Sequence, residues 1–196
     1  MFSFIDSFMN NLTGNIQFVA SEVKLEKVLN SLKLIACPHC GGRGFLNRHD
    51  WIYGNSPDCA ARQVCRGRRA YCSNSNGRGG CGRTISFLFG WIVPKHSWDC
   101  SFLDKIFESL RSGSSVQEAW QGGGCGLSLS GLYHLLQRLR KQTDRLRTWL
   151  CGCCDPPESI SCDYLYETLL HLKTAFPTAE LSSVAFQMQF QTSLMG

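Results

Sequence analysis

Apolar residues recur at helical or strand-like spacing in the first third of the chain. The spacing over residues 16–35 predicts one helix, with Ser21 close to a helix start. Residues 45–53 and 60–71 have the pattern of short strands, and the turn signal GNSPD at 54–58 lies between them. We therefore expect an N-terminal helix followed by a small hairpin-based unit.

The middle of the chain changes to a helical period. Apolar residues over 98–111 form one helical face, which a Ser-Gly pair ends. Ser115 and Glu118 have the form of a capping box, and Ser128 is the expected N-cap of a longer helix that points its leucines inward. A helix, a short helix, a glycine-rich turn and a longer helix are the order of a helix-turn-helix.

The last region predicts two more helices, one from about residue 159 to the break at Pro177 and one over 179–195. Residues 149–196 carry a net charge of −4, which is not the charge pattern of a DNA-binding segment. This C-terminal region is better suited to contacts with a protein or to covering the core.

Positive charge is concentrated in two blocks, although the whole chain carries only +5. Residues 37–98 hold eight Arg and one Lys against two Asp, and residues 136–148 sum to +4. One basic run is typical of a solvated surface. Two such blocks favour a polyanionic partner, and nucleic acid is the leading one.

Twelve cysteines have to be read together with the expected compartment. The N-terminus has no basic leader, and the longest apolar run, 85–93, is about half of a bilayer span. We therefore expect a cytoplasmic protein with no membrane contact. In that compartment, cysteines indicate metal binding or buried thiols rather than disulfides.

Two cysteine pairs have the form of zinc knuckles, tight turns that each supply two thiolates. They are Cys37 with Cys40 and Cys72 with Cys81, and a glycine follows each pair. Eight residues separate the second pair, where roughly two to four are usual, and this Ser-, Asn- and Gly-rich insertion can loop out. Four thiolates leave no position for a reactive water, so the predicted Zn²⁺ site is structural. The metal would supply much of the folding free energy of a domain with little core.

The tetrad CPHC at 37–40 also has the form of a redox motif, in which a helix N-terminus lowers a thiol pKa. Two glycines after it disfavour a helix there, and no strand-helix-strand pattern surrounds it, so we prefer zinc. Competing donors are Cys59, Cys65, His39 and His49, whose ordinary roles are packed thiols and surface imidazoles. A second metal site, or alternatively a cluster of buried thiols, is suggested by Cys151, Cys153, Cys154 and Cys162.

The longer helix is the expected recognition helix, because its first two turns would present polar side chains to base edges. Gln137 can pair with adenine, and its basic neighbours can contact phosphates. The predicted DNA contacts here are Ser128, Ser130, Tyr133, His134, Gln137, Arg138, Arg140 and Lys141. Those in the cysteine-rich segment are Arg66, Arg68, Arg69 and Arg83. The alternative is an amphipathic helix with an ordinary polar surface.

Four segments carry a family resemblance: RRAYC, CGRTISFLFGWIVPKHSW, SSVQEAW and GLSLSGLYHLLQRLR. Together with the CPxCG knuckle, they resemble the zinc ribbon plus helix-turn-helix module of bacterial insertion-sequence proteins, over roughly residues 34–148. The resemblance implies binding to element ends or target DNA, and with it a bacterial, nucleoid-associated protein. The chain departs from the pattern in its knuckle insertion and in the long turn at 122–125. No catalytic recombinase domain is evident, because the sequence after the basic helix is short and has few carboxylates.

The predicted fold class is α+β, built from small modules. The modules are an N-terminal helical segment (1–36), a zinc-ribbon domain with short antiparallel strands (37–94), a helix-turn-helix domain (95–150) and a helical C-terminal region (151–196). The predicted function is non-catalytic, sequence-specific binding of double-stranded DNA, as an accessory protein of a mobile element or as a regulator. A transposase or another protein would bind the C-terminal region. The alternative is an adaptor that binds protein or ribonucleoprotein partners and recruits them to DNA.

Overall fold

The computed structural model describes residues 14–56, 62–74, 79–123, 127–158 and 163–195. In these ranges the protein is α+β, with six helices and a four-stranded mixed sheet. The chain divides into two compact units. The first unit falls within Met1–Gly54 and Gln63–Gly90, and the second within Asn55–Arg62 and Trp91–Gly196. The four-segment division made from the sequence stays a prediction.

The sheet of the first unit has the strand order β1-β4-β3-β2. Its strands are β1 (Ile16–Val19), β2 (Leu46–Asn55), β3 (Gln63–Cys72) and β4 (Thr84–Phe89). Strand β4 pairs in parallel with β1 and antiparallel with β3. The sheet is therefore mixed, whereas the sequence had predicted only short antiparallel strands.

The described part of the N-terminal segment, from residue 14, has a strand at Ile16–Val19 where the sequence predicted the start of a helix over 16–35. Helix α1 (Glu22–Asn30) starts only after β1, and Ser21 caps it by accepting a hydrogen bond from the Lys24 N–H at 3.3 Å. The sequence IQFV of β1 is almost fully buried and joins the sheet beside β4. One half-buried residue followed by three buried ones fits a covered parallel strand as well as one turn of helix. For this reason the spacing alone did not separate the two.

Helix α1 and the sheet bury a small apolar core in the first unit. Its fully or nearly fully buried members include Phe18, Leu25, Leu29, Ile35, Leu46, Ala70, Ile85 and Phe87. Strands β3 and β4 approach so closely at Gly67, whose φ is 147°, that a Cβ there would lie 1.9 Å from the Phe87 carbonyl oxygen. Only glycine fits this position.

The second unit is helical and has one continuous core. Its helices are α2 (Cys100–Arg111), α3 (Val116–Gly123), α4 (Leu129–Cys151), α5 (Tyr164–Ala175) and α6 (Ser182–Phe190). Side chains from all five helices contribute to this core, and the leucines of α4 face it as predicted. The two helices predicted for the last region correspond to α5 and α6.

Capping explains where the helices of the second unit begin. The capping box is confirmed: the Ser115 N–H donates to the Glu118 carboxylate at 2.7 Å, and the Glu118 N–H donates to Ser115 Oγ at 3.3 Å. Ser128 caps α4 by accepting from the Gly131 N–H at 3.1 Å. The Trp120 indole N–H donates to the Leu127 carbonyl oxygen at 2.6 Å and so ties the end of α3 to the start of α4.

Candidate metal centre and basic surfaces

The first cysteine turn lies in the segment between α1 and β2. The Gly41 N–H donates to the Cys37 carbonyl oxygen at 2.8 Å, and the Cys37 N–H donates to the Gly42 carbonyl oxygen at 2.9 Å. Gly41 has a φ of 71°, in the left-handed region that glycine adopts without strain. The turn thus brings Cys37 and Cys40 together without the helix that a redox CxxC motif requires.

The second cysteine turn connects the end of β3 to the start of β4. The Cys72 N–H donates to the Arg83 carbonyl oxygen at 2.9 Å, and the Gly82 N–H donates back to the Cys72 carbonyl oxygen at 3.0 Å. The Cys81 N–H points at Cys72 Sγ, 3.4 Å away. At Gly80 a Cβ would lie only 1.8 Å from a backbone carbonyl oxygen. A glycine thus lets the chain return closely enough after the insertion to restore a knuckle.

The two turns bring four sulfur atoms together. The Sγ atoms of Cys37, Cys40, Cys72 and Cys81 all lie within 4.8 Å of one another. The Cys37–Cys81 sulfur pair is 3.7 Å apart, and the Cys40–Cys72 pair is 3.8 Å apart. A regular tetrahedron with metal–sulfur bonds of about 2.3 Å has sulfur–sulfur edges of about 3.8 Å, whereas a disulfide requires about 2.05 Å. The geometry therefore fits a four-thiolate metal site and no disulfide.

The environments of the four thiols differ. Burial raises the pKa of Cys37 and raises that of Cys72 to about 12, and the other thiols nearby add to the rise at Cys72. Cys40 is the exposed member of the four, and a hydrogen bond from the backbone N–H of Gly42 lowers its pKa. Burial thus favours the protonated thiol at Cys37 and Cys72. A bound cation would reverse this preference, because coordination favours the thiolate. The site is thus well suited to a cation.

None of the competing donors that the structure describes joins the four-sulfur group. Cys65 donates weakly to the Gly67 carbonyl oxygen at 3.7 Å, and His49 lies 3.4 Å from an Asp50 carboxylate oxygen. His39 belongs to the first turn but not to the four-sulfur group. Cys59 falls outside the described residues.

The second predicted metal cluster is not assembled in the described residues. Cys151, Cys153 and Cys154 lie at the end of α4, and no group of three or more ligands other than the four-sulfur one converges within the described ranges. Cys153 Sγ accepts a hydrogen bond from Gln189 at 3.2 Å, and burial raises the pKa of Cys154. Cys162 lies outside the described residues. Cys151 is exposed, and Cys153 and Cys154 are half-buried, so these three thiols do not form the predicted alternative of a buried-thiol cluster either.

The four arginines predicted as DNA contacts of the first unit have different exposures. Arg69 and Arg83 are exposed. Arg68 places its guanidinium 4.5 Å from the centre of the Trp51 ring. Arg66 is only 9% exposed, which makes it a poor phosphate contact. Strand alternation alone did not separate Arg66 from its neighbours.

The predicted recognition helix, α4, presents a polar face. Its exposed members are Ser130, Tyr133, His134, Gln137, Arg138, Arg140 and Lys141, and the capping residue Ser128 is exposed as well. Arg140 is engaged by an ion pair with Asp163, with an N–O distance of 3.2 Å. Arg138 and Lys141 are therefore the better candidates for phosphate contacts.

Sequence reasoning missed the aromatic residues of β2. Trp51 and Tyr53 are exposed on this edge strand, where large rings are usually protected. The signal was present in the sequence, because the two rings are two residues apart in a predicted strand.

Comparisons with known proteins identified no relative of this chain. No family model matches the chain, and no curated protein or solved structure is significantly similar to it. No helix in the described part of the chain is both long and apolar enough to cross a membrane.

Proposed function

We propose that the protein is a non-catalytic, zinc-stabilised DNA-binding protein, acting as an accessory to a mobile element or as a regulator. The convergence of the four sulfurs at tetrahedral spacing is the observation that carries this proposal. In this interpretation the first unit is a zinc ribbon extended by β1, and α2 to α4 form a helix-turn-helix.

Zinc is the ion that the donor set favours. Four sulfur ligands select soft or borderline metals such as zinc over magnesium or calcium, which prefer oxygen. Cys37, Cys40, Cys72 and Cys81 would hold the ion in a closed shell, where it stabilises the fold and has no position for an activated water. This chemistry supports a structural role and a non-catalytic protein.

DNA is the partner that the charges favour. The described residues of the first unit carry nine Lys and Arg side chains against three carboxylates. In the second unit, the capped start of α4 exposes Ser128 and Ser130, and the exposed cations Arg138 and Lys141 follow along the helix. Each cation placed near a phosphate releases condensed counterions, so such surfaces bind nucleic acid in a salt-dependent manner.

The test is salt-dependent binding to duplex DNA by the zinc-loaded protein. Replacing Arg138 and Lys141 together with alanine should lower the affinity and reduce the slope of log affinity against log salt by about 2. Lys173→Ala is the control, because it removes a partly exposed cation from α5, outside the proposed helix-turn-helix. Fluorescence anisotropy with a labelled random-sequence duplex provides the measurement.

Two results would count against this function. If the wild type binds duplex DNA with no dependence on salt, contacts to phosphates do not contribute to binding. An equal loss of affinity in the Lys173 control would show a general charge effect rather than contacts made by the recognition helix. Either result would favour the adaptor alternative, in which the protein reaches DNA through partners.

A further inference from the structure

The outer edge of the sheet carries two exposed aromatic rings. Strand β2 lies at the end of the strand order, and on it Trp51 is 40% and Tyr53 57% exposed. A ten-residue edge strand with exposed rings is an aggregation hazard that proteins ordinarily cover or blunt with charge. Its retention on the surface suggests a ligand that uses the rings.

A cation is fixed against the first of these rings. The Arg68 guanidinium carbon lies 4.5 Å from the Trp51 ring centre, and Arg68 Nε donates to the His49 carbonyl oxygen at 3.0 Å. The hydrogen bond and the ring contact together hold the arginine on β3 beside the aromatic side chain of β2. The surface therefore combines a π-face with a fixed positive charge.

The spacing of the rings suits a strand of bases. Residues two apart on a strand point to the same side and are separated by about 6.6 Å along it. Trp51 and Tyr53 have this relationship, so neighbouring bases of an extended chain can each reach a ring. Paired bases inside a duplex have no free face for such contacts, whereas unpaired bases do.

The charges select nucleic acid over a peptide strand. Asp50 is the one carboxylate on β2, and it is paired with His49. Arg69 on the adjacent strand is exposed, and the unit as a whole is cationic. Aromatic platforms next to positive charge are the physical basis of single-strand binding, in which stacking takes the bases and cations take the backbone.

We propose that Trp51, Tyr53 and Arg68 form a binding surface for unpaired nucleic acid, which stacks its bases on the two rings. This surface is distinct from α4 and from the metal centre. The inference rests on the proposed function for its nucleic-acid partner, and it adds a second binding mode for single strands.

The experiment compares three labelled probes with the zinc-loaded full chain: a 16-mer oligothymidylate, a 16-mer oligouridylate and a 16-base-pair duplex. Trp51→Ala should weaken single-strand binding by roughly five- to a hundredfold. Tyr53→Ala, a second variant at a more exposed position, should weaken it in the same direction. Neither change should alter duplex binding.

The matched control is Tyr164→Ala. Tyr164 is 50% exposed and has Arg147 4.7 Å above its ring, so it reproduces an exposed aromatic–arginine pair in the second unit. This variant should bind all three probes like the wild type. A preference between the thymidylate and uridylate probes would identify DNA or RNA as the better ligand, and either preference supports the surface.

Three outcomes would overturn the inference. Duplex binding without single-strand binding would leave the proposed function standing and remove this surface from it. If the wild type binds none of the three probes, both this proposal and the proposed function are refuted. Single-strand affinity that is unchanged by Trp51→Ala and Tyr53→Ala, or equally reduced by Tyr164→Ala, would show that these rings are not the platform.

Discussion

Replacing Cys40 with serine removes one sulfur from the metal centre at its exposed corner. Because this side chain is exposed, the change leaves no cavity and its main effect is on the metal. We take the removal of one sulfur ligand to weaken zinc binding by about a thousandfold. At a fixed concentration of free zinc, this loss lowers the apparent free energy of unfolding by about 4 kcal/mol. For a unit of this size each kcal/mol shifts the melting temperature by about 4–8 °C, so a fall of roughly 15–30 °C is expected.

Hydrogen exchange measured by mass spectrometry shows which part of the chain the substitution destabilises. Amides of β3 and β4 should lose protection in Cys40→Ser, and those of α4 should keep it. Cys65→Ser is the control, because Cys65 is a partly buried thiol outside the sulfur group. If the two variants melt together, or if a strong chelator leaves the wild-type melting temperature unchanged, a stabilising metal is refuted.

Further predictions test the second turn and the helical unit. Gly80→Ala places a Cβ against a backbone carbonyl oxygen and should weaken zinc retention measured by elemental analysis; Gly122→Ala, which meets nothing within 4 Å, should not. Burial raises the pKa of Asp163, but the Leu165 N–H and the Arg140 guanidinium outweigh it and hold that pKa below its ordinary value. The stability this provides is full above the unfolded pKa of about 3.9 and is lost as pH falls further. Urea midpoints of wild type and Asp163→Asn should therefore converge below that pH; a constant difference would contradict the assignment.

The metal centre and the helix caps were predictable because their signals are local. The two cysteine turns are each marked by a following glycine, and the capping box needs only Ser115 and Glu118, three residues apart. Even the insertion in the second turn leaves the pattern readable, since its Gly80 allows the chain to close. Two such turns in the first unit bring the four thiols together.

The parts that were not predictable depend on distant contacts. Strand β1 exists because β4, some seventy residues later, pairs with it in parallel. The burial of Arg66 and the contact of Arg68 with Trp51 depend on how β2 and β3 lie beside each other. Residue spacing within one segment carries no information on either pairing.

X-ray absorption at the zinc edge of the purified protein tests the central claim most directly. The account predicts one zinc ion per chain with four sulfur neighbours at about 2.3 Å. A protein without bound metal, or one whose metal has nitrogen or oxygen neighbours in place of sulfur, would contradict it.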